Sequence, residues 1–293
     1  MNEINCYSPY VLIILPKLLF DEEGNISEFS YIGMAIEPML KVNAKESSDL
    51  KTNIKNDDII TVLNSIKNYF GLSNIEINVF NDFNLNSINY LSTITLACSF
   101  IYLWISNQRN LYENLDLIDS LIYKNKVGLQ ISHIVLNGGF GFYSKSINQT
   151  IYYRLPYNKA NYELLILEKG SYNFFDIIKD KNYRNVLAHH TKLSYDAIQN
   201  DMSLKRIYEE NKRIAFDTGL IDSDLYEIIK LLSNEGFISG YNFFTNGIHV
   251  IAKSSDKERI LKILEGITDR SSIKSFRVNY TGLFIENNSN SQI

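Results

Sequence analysis

Apolar residues recur along this chain with two periods, and the switches between them lay out its elements. Cys6 to Leu15 and Met39 to Lys45 are rich in strand formers, with turn chemistry at Glu23-Gly24-Asn25 between them. Pro16 cuts the first run. From Asp57-Asp58 the period becomes helical through Ile59, Val62, Leu63, Ile66 and Tyr69, and Gly71 closes the pattern. Ile75 to Val79 alternates and predicts a half-buried strand. A polar connection, Asn81 to Asn89, leads into an apolar helix over Leu91 to Ile105. That helix carries Ser92, Thr93, Thr95 and Ser99 and falls short of the ~20 residues a membrane span needs, so a buried core helix is expected. Leu111 to Tyr123 predicts a second helix, with acidic residues early in it as the helix dipole favours.

Gly138-Gly139 marks a turn into a strand over Phe140 to Ser144, and Thr150 to Leu155 and Tyr162 to Leu167 predict two more. The pattern then turns helical over Asn182 to Asn200, Leu204 to Phe216 and Ser223 to Asn234. Ser239 to Phe244 and Ile248 to Ala252 read as a hairpin around Thr245-Asn246-Gly247, since Asn-Gly is a strong turn signal. Asp256 to Leu264 predicts a helix, Ile273 to Tyr280 a final strand, and the residues from Asn287 a polar tail. The order predicts an α+β protein, with a mixed N-terminal half and C-terminal helices against a small antiparallel sheet.

Composition narrows the function classes. A formal net charge of −4 gives no global field for nucleic acid or an anionic membrane. The 20 tyrosines and 16 phenylalanines are spread along the chain and form no stacking platform for bases. Cys6 and Cys98 are too few and too far apart in sequence for a disulfide framework or a metal knuckle. Reduced thiols and a cytoplasmic location are expected, with no signal peptide, since no basic stretch precedes Val11 to Leu15. The adjacent His189 and His190 point about 100° apart on a helix and do not share a metal.

Several motifs in collinear order resemble those of the GHMP small-molecule kinases, and among them the archaeal pantoate kinases. Ser8-Pro9, an apolar strand, an acidic turn and Ser30-Tyr31-Ile32-Gly33-Met34-Ala35 resemble the N-terminal signature. Asp82-Phe83 and Ser92 stand where the family has its phosphate-loop lead-in and serine. Gly128-Leu129 followed by Gly138-Gly139 resembles the next motif, Ala215 to Leu220 the stretch before the last domain, and Asn246-Gly247 the end of the third motif. The resemblance implies a GHMP kinase-like fold with an ATP-binding-type domain over 1–155, a C-terminal domain over 156–286 and a tail over 287–293. It implies ATP and Mg²⁺ as cofactors, phosphorylation of pantoate or a similar small hydroxy acid in coenzyme A synthesis, and no nucleic-acid or membrane partner.

Phosphoryl transfer is mostly positioning and charge stabilisation. It needs backbone N–H groups at a helix N-terminus for the phosphates. It also needs a carboxylate for the substrate hydroxyl and oxygen ligands for Mg²⁺. The loop Asn84 to Thr95 has no glycine, although glycine is what lets a loop reach φ > 0 and a ligand approach closely. By resemblance, Asn86, Ser87, Asn89, Ser92 and Thr93 would contact nucleotide, with Ser92 on the metal. As a bare pattern, the same residues form a polar loop capping a core helix. The family's catalytic aspartate aligns with Ile131, which cannot accept a proton. Asp116 and Asp119 are the carboxylates of the preceding helix, and Ser132 or His133 could join a hydroxyl network. Ser8, Lys17 or Arg154 would meet an acid substrate. The resemblance also allows a homodimer, and the alternative to a kinase is an inactive homologue acting as a binding or regulatory partner, for instance of a catalytically active relative.

Overall fold

The computed structural model describes residues 3–80, 88–108, 110–146, 149–154, 162–168, 177–244, 246–266 and 273–287. Its strands are β1 (Ile4–Phe20), β2 (Ile26–Glu46), β3 (Lys51–Thr52), β4 (Ile75–Phe80), β5 (Phe140–Ser146), β6 (Gln149–Arg154), β7 (Tyr162–Glu168), β8 (Ile238–Asn242), β9 (Gly247–Lys253), β10 (Ile273–Val278) and β11 (Phe284–Asn287). Its helices are α1 (Asp57–Phe70), α2 (Ile88–Ile105), α3 (Leu115–Lys124), α4 (Ser132–Asn137), α5 (Lys181–Ile198), α6 (Leu204–Asp217), α7 (Ser223–Asn234) and α8 (Lys257–Glu265). The expected α+β class is what the chain adopts.

Helix ends follow local chemistry. Asn56 accepts from the Ile59 N–H at 3.0 Å to cap α1, and Gly71 ends it in the left-handed region at φ 63°. Asp180, Ser203 and Asp222 cap α5, α6 and α7 through the N–H groups of Tyr183, Arg206 and Leu225. No helix among the described residues is long and apolar enough to cross a membrane.

Contacts divide the chain into two compact units, and neither is continuous in sequence. The first comprises Met1–Val11, Ala35–Gly139 and Asn279–Ile293; the second comprises Leu12–Met34 and Phe140–Val278.

In the first unit β11 pairs antiparallel with the start of β1, from Ile4↔Asn287 to Tyr7↔Phe284. The end of β2 pairs antiparallel with β4, from Lys41↔Phe80 to Glu46↔Ile75, and β3 runs parallel to β4. Cys6, Val42, Ala44 and Ile77 are fully buried, as are Val62, Ile66, Leu96, Phe100 and Ile118 from α1, α2 and α3. Cys6 and Cys98 are free thiols inside this core, and burial pushes both well above the usual thiol range.

In the second unit the first half of β2 pairs with β5, which pairs with β6, and β10, β7, β9 and β8 form an antiparallel run. α6 is tied to this unit by Asn211, which is fully buried. Its side-chain NH₂ donates to the Ile14 carbonyl at 2.5 Å and the Tyr241 carbonyl at 2.9 Å, and its Oδ1 accepts from the Tyr241 N–H at 2.7 Å. One side chain thus satisfies three backbone groups on two strands. Gly240 leaves the room for it, since a Cβ there would lie 2.6 Å from Asn211 Oδ1. Asn211→Ala orphans all three groups, and a loss of about 3 kcal/mol of unfolding free energy is expected. A urea midpoint equal to that of the parent chain would contradict this account of how α6 is held.

Candidate functional site

The site that the motifs single out belongs to the first unit and is built from β4, α2, α3 and α4. The connection from β4 to α2 holds Asp82, Phe83, Asn84, Asn86 and Ser87, which lie outside the described residues, as does the side chain of Asn89. From Ser92 onward the hydroxyls of α2 are turned inward. Ser92, Thr93, Thr95 and Ser99 are all fully buried. Thr95 Oγ1 donates to the Leu91 carbonyl at 2.8 Å and Ser99 Oγ to the Thr95 carbonyl at 2.6 Å, the back-bonding that a buried hydroxyl uses when its own helix is the available acceptor. Ser92 differs from these two. Its Oγ accepts from the backbone N–H of Leu129 at 3.0 Å.

Leu129 lies in the irregular stretch between α3 and α4, where backbone N–H groups have no ladder to join. Ser132, the first residue of α4, meets a second internal acceptor. Its hydroxyl donates to Asp119 Oδ2 at 2.6 Å, and its backbone N–H approaches Oδ1 at 3.4 Å. Asp119 comes from α3 and is fully buried, so its carboxylate is an acceptor for the start of α4. Ile131 is also fully buried and stands at the N-cap of α4, with no side-chain cap of its own. His133, next along α4, is partly exposed.

α4 runs into Gly138-Gly139, both at positive φ, 64° and 78°. This pair interlocks with the turn before β11. The Gly139 N–H donates to the Asn279 carbonyl, the Leu283 N–H to the Val135 carbonyl at 2.7 Å, and the Ala35 N–H to the Gly139 carbonyl at 2.8 Å. Asn279 Oδ1 accepts from the Gly282 N–H at 2.8 Å. The glycine pair therefore serves a close backbone crossing.

Two of the three residues expected to meet an acid substrate can be placed. Ser8 is fully buried, and Lys17 pairs with Glu28 at 2.6 Å. The side chain of Arg154 lies outside the described residues. His189 and His190 stand edge to face, 5.4 Å between centroids, and His190 Nδ1 lies 3.4 Å from Asp217 Oδ2. No group of three or more His, Cys, Asp or Glu side chains stands together among the described residues. The α2 hydroxyls are buried and engaged, Asp119 holds Ser132, and position 131 carries a hydrocarbon.

Ser92, Asp119, Ser132 and Ile131 stand out in the sequence, but the contacts Ser92–Leu129 and Asp119–Ser132 do not. Asp119 and Ser132 are 13 residues apart, and a contact between two polar residues at that spacing has no periodic signature.

No protein-family model matches the chain, and no curated protein matches it. Solved structures do match, over nearly the whole chain. A "phosphotransferase related to CoA biosynthesis pathway" is 14% identical, covering 98% of this chain and 99% of that one, with a TM-score of 0.79. Mevalonate diphosphate decarboxylase from Staphylococcus aureus is 12% identical, covering 98% of each chain, with a TM-score of 0.70. Homoserine kinase from Cytophaga hutchinsonii is 13% identical, covering 98% of each chain, with a TM-score of 0.68. The fold is that of the GHMP kinases, as the motif order implies.

Proposed function

We propose that this chain is a non-catalytic relative of the pantoate kinase type, a cytoplasmic binding or regulatory partner that keeps the fold without phosphoryl transfer. Ile131 carries this reading. A kinase of this fold needs a carboxylate to orient the substrate hydroxyl, and the aligned position holds a fully buried isoleucine. Asp119 offers no rescue, because its two oxygens are engaged by Ser132. Fold and chemistry are separable, so losing one leaves the other intact.

The likeness to a phosphotransferase of coenzyme A biosynthesis supports a second reading, ATP-dependent phosphorylation of pantoate or a similar small hydroxy acid. In that case the nucleotide would rest on Asn86, Ser87, Asn89, Ser92 and Thr93, with Ser92 near Mg²⁺. Titration calorimetry with millimolar ATP·Mg²⁺, together with ADP release in the presence of pantoate, separates the two. The expected result is no binding heat and no ADP above the blank. Turnover would overturn the first reading in favour of the second. Under the first reading, the purified chain is expected to co-purify with an active pantoate kinase when the two are mixed.

A further inference from the structure

The stretch from Asn125 to Ile131 is irregular, yet Val127, Leu129 and Ile131 within it are buried, as is Ser132 just after it. Buried backbone N–H groups require acceptors. Those of Leu129 and Ser132 find them in two side chains delivered from neighbouring helices, Ser92 on α2 and Asp119 on α3. The carboxylate is fully buried, and the hydroxyl of Ser132 gives it a second, shorter bond. Free N–H groups of this kind are what a ligand oxygen can meet. Here internal oxygens take them.

Resting on the non-catalytic reading, we propose that Asp119 is a positioning residue. With Ser92 it forms a clasp that fixes the Leu129–Ser132 segment and the start of α4 without any ligand. The site would then be ordered in the free protein, and a nucleotide would add nothing to that order.

Hydrogen exchange of peptides covering 128–137 tests the clasp. Ser132→Ala is expected to exchange there roughly tenfold faster than the parent, the effect of losing one net hydrogen bond. Ser132→Thr, which keeps the hydroxyl, is expected to restore the parental rate, and peptides from α5 to α7 are expected not to change in either. Asp119→Asn supplies an independent perturbation from the other side of the contact. Millimolar ATP·Mg²⁺ is expected to leave exchange at 128–137 unchanged in the parent chain. Parental exchange in both Ser132→Ala and Asp119→Asn would overturn the clasp, as would slowing of the parent segment by ATP·Mg²⁺. ADP release with pantoate, without protection of 128–137 by ATP·Mg²⁺, would end the non-catalytic reading and leave the clasp standing.

Discussion

Gly282→Ala is expected to lower the unfolding free energy by roughly 3–5 kcal/mol, the combined effect of overpacking and backbone strain. Gly282 sits at φ +77°, and a Cβ there would lie 2.0 Å from the Leu136 carbonyl oxygen and 2.9 Å from the Asn137 carbonyl carbon. These are backbone atoms of α4, which no rotamer change can move aside. Across the contact, a Cβ on Gly138 would lie 2.4 Å from the Gly282 nitrogen, so glycine is needed on both sides of the crossing. Gly219 provides the control. It has a similar φ of +67° with nothing within 4 Å of its would-be Cβ, so Gly219→Ala is expected to cost only about 1 kcal/mol. Urea midpoints of the two variants separate the contributions. Equal losses would assign the cost to φ alone and remove the close crossing from the account.

That crossing also explains why the Gly138-Gly139 motif was legible while its purpose was not. The sequence marks a turn there, and the structure has one. The partner at Asn279 to Leu283 is more than a hundred residues away, in a stretch expected to end as a strand at Tyr280. β10 instead stops at Val278, because Asn279 leaves the ladder to bond Ala35 and Gly139. Nothing in the sequence pattern marks β11. Its four residues pair with β1, and a strand that short has too few positions to show a period.

The first two strands run longer than the sequence pattern predicts, for a different reason. The expected break at Pro16 fits proline's missing N–H, and the second run is expected only from Met39. β1 runs through Pro9 and Pro16 to Phe20, and β2 through Pro38 from Ile26 to Glu46. Strands of 17 and 21 residues have other positions to carry their pairing, so single missing donors do not end them. The helices were read more closely, since α1, α6 and α7 announce themselves by caps and a 3.6-residue stripe. α4 is the exception, six residues long and held at its start by Asp119 rather than by a local cap.

For the site itself, sequence resolved composition and left direction open. A serine at position 92 and an aspartate at 119 are compatible with a phosphate site or a core. The choice depends on whether their oxygens face outward, which is set by three-dimensional packing. Ile131 needed no structure to argue against proton transfer, and its complete burial adds that an acid placed there would enter a dry environment.

One buried histidine is expected to make acid destabilise this protein by about 5 kcal/mol at the limit, beyond what the carboxylates contribute. His249 lies in β9 between β7 and β8 and is fully buried. Neither ring nitrogen has a hydrogen-bond partner among the described residues, and the ring stands edge to face with Tyr208 at 5.1 Å. Burial disfavours the imidazolium and pushes the pKa down from 6.5 to about 3. Above pH 6.5 both folded and unfolded chains carry neutral His249, and stability is independent of it. Between 6.5 and about 3 only the unfolded chain binds the proton, so stability falls with pH by about 1.4 kcal/mol per unit. At pH 5 the loss is about 2 kcal/mol. His249→Phe keeps an aromatic ring against Tyr208 and removes the titration. Urea midpoints of parent and variant, compared at pH 7, 5 and 4, are therefore expected to diverge progressively in favour of the variant, whatever the carboxylates contribute to both. Parallel curves would mean that His249 finds a proton acceptor or water in solution. The isolation of β9 from solvent would then be disproved along with the shift.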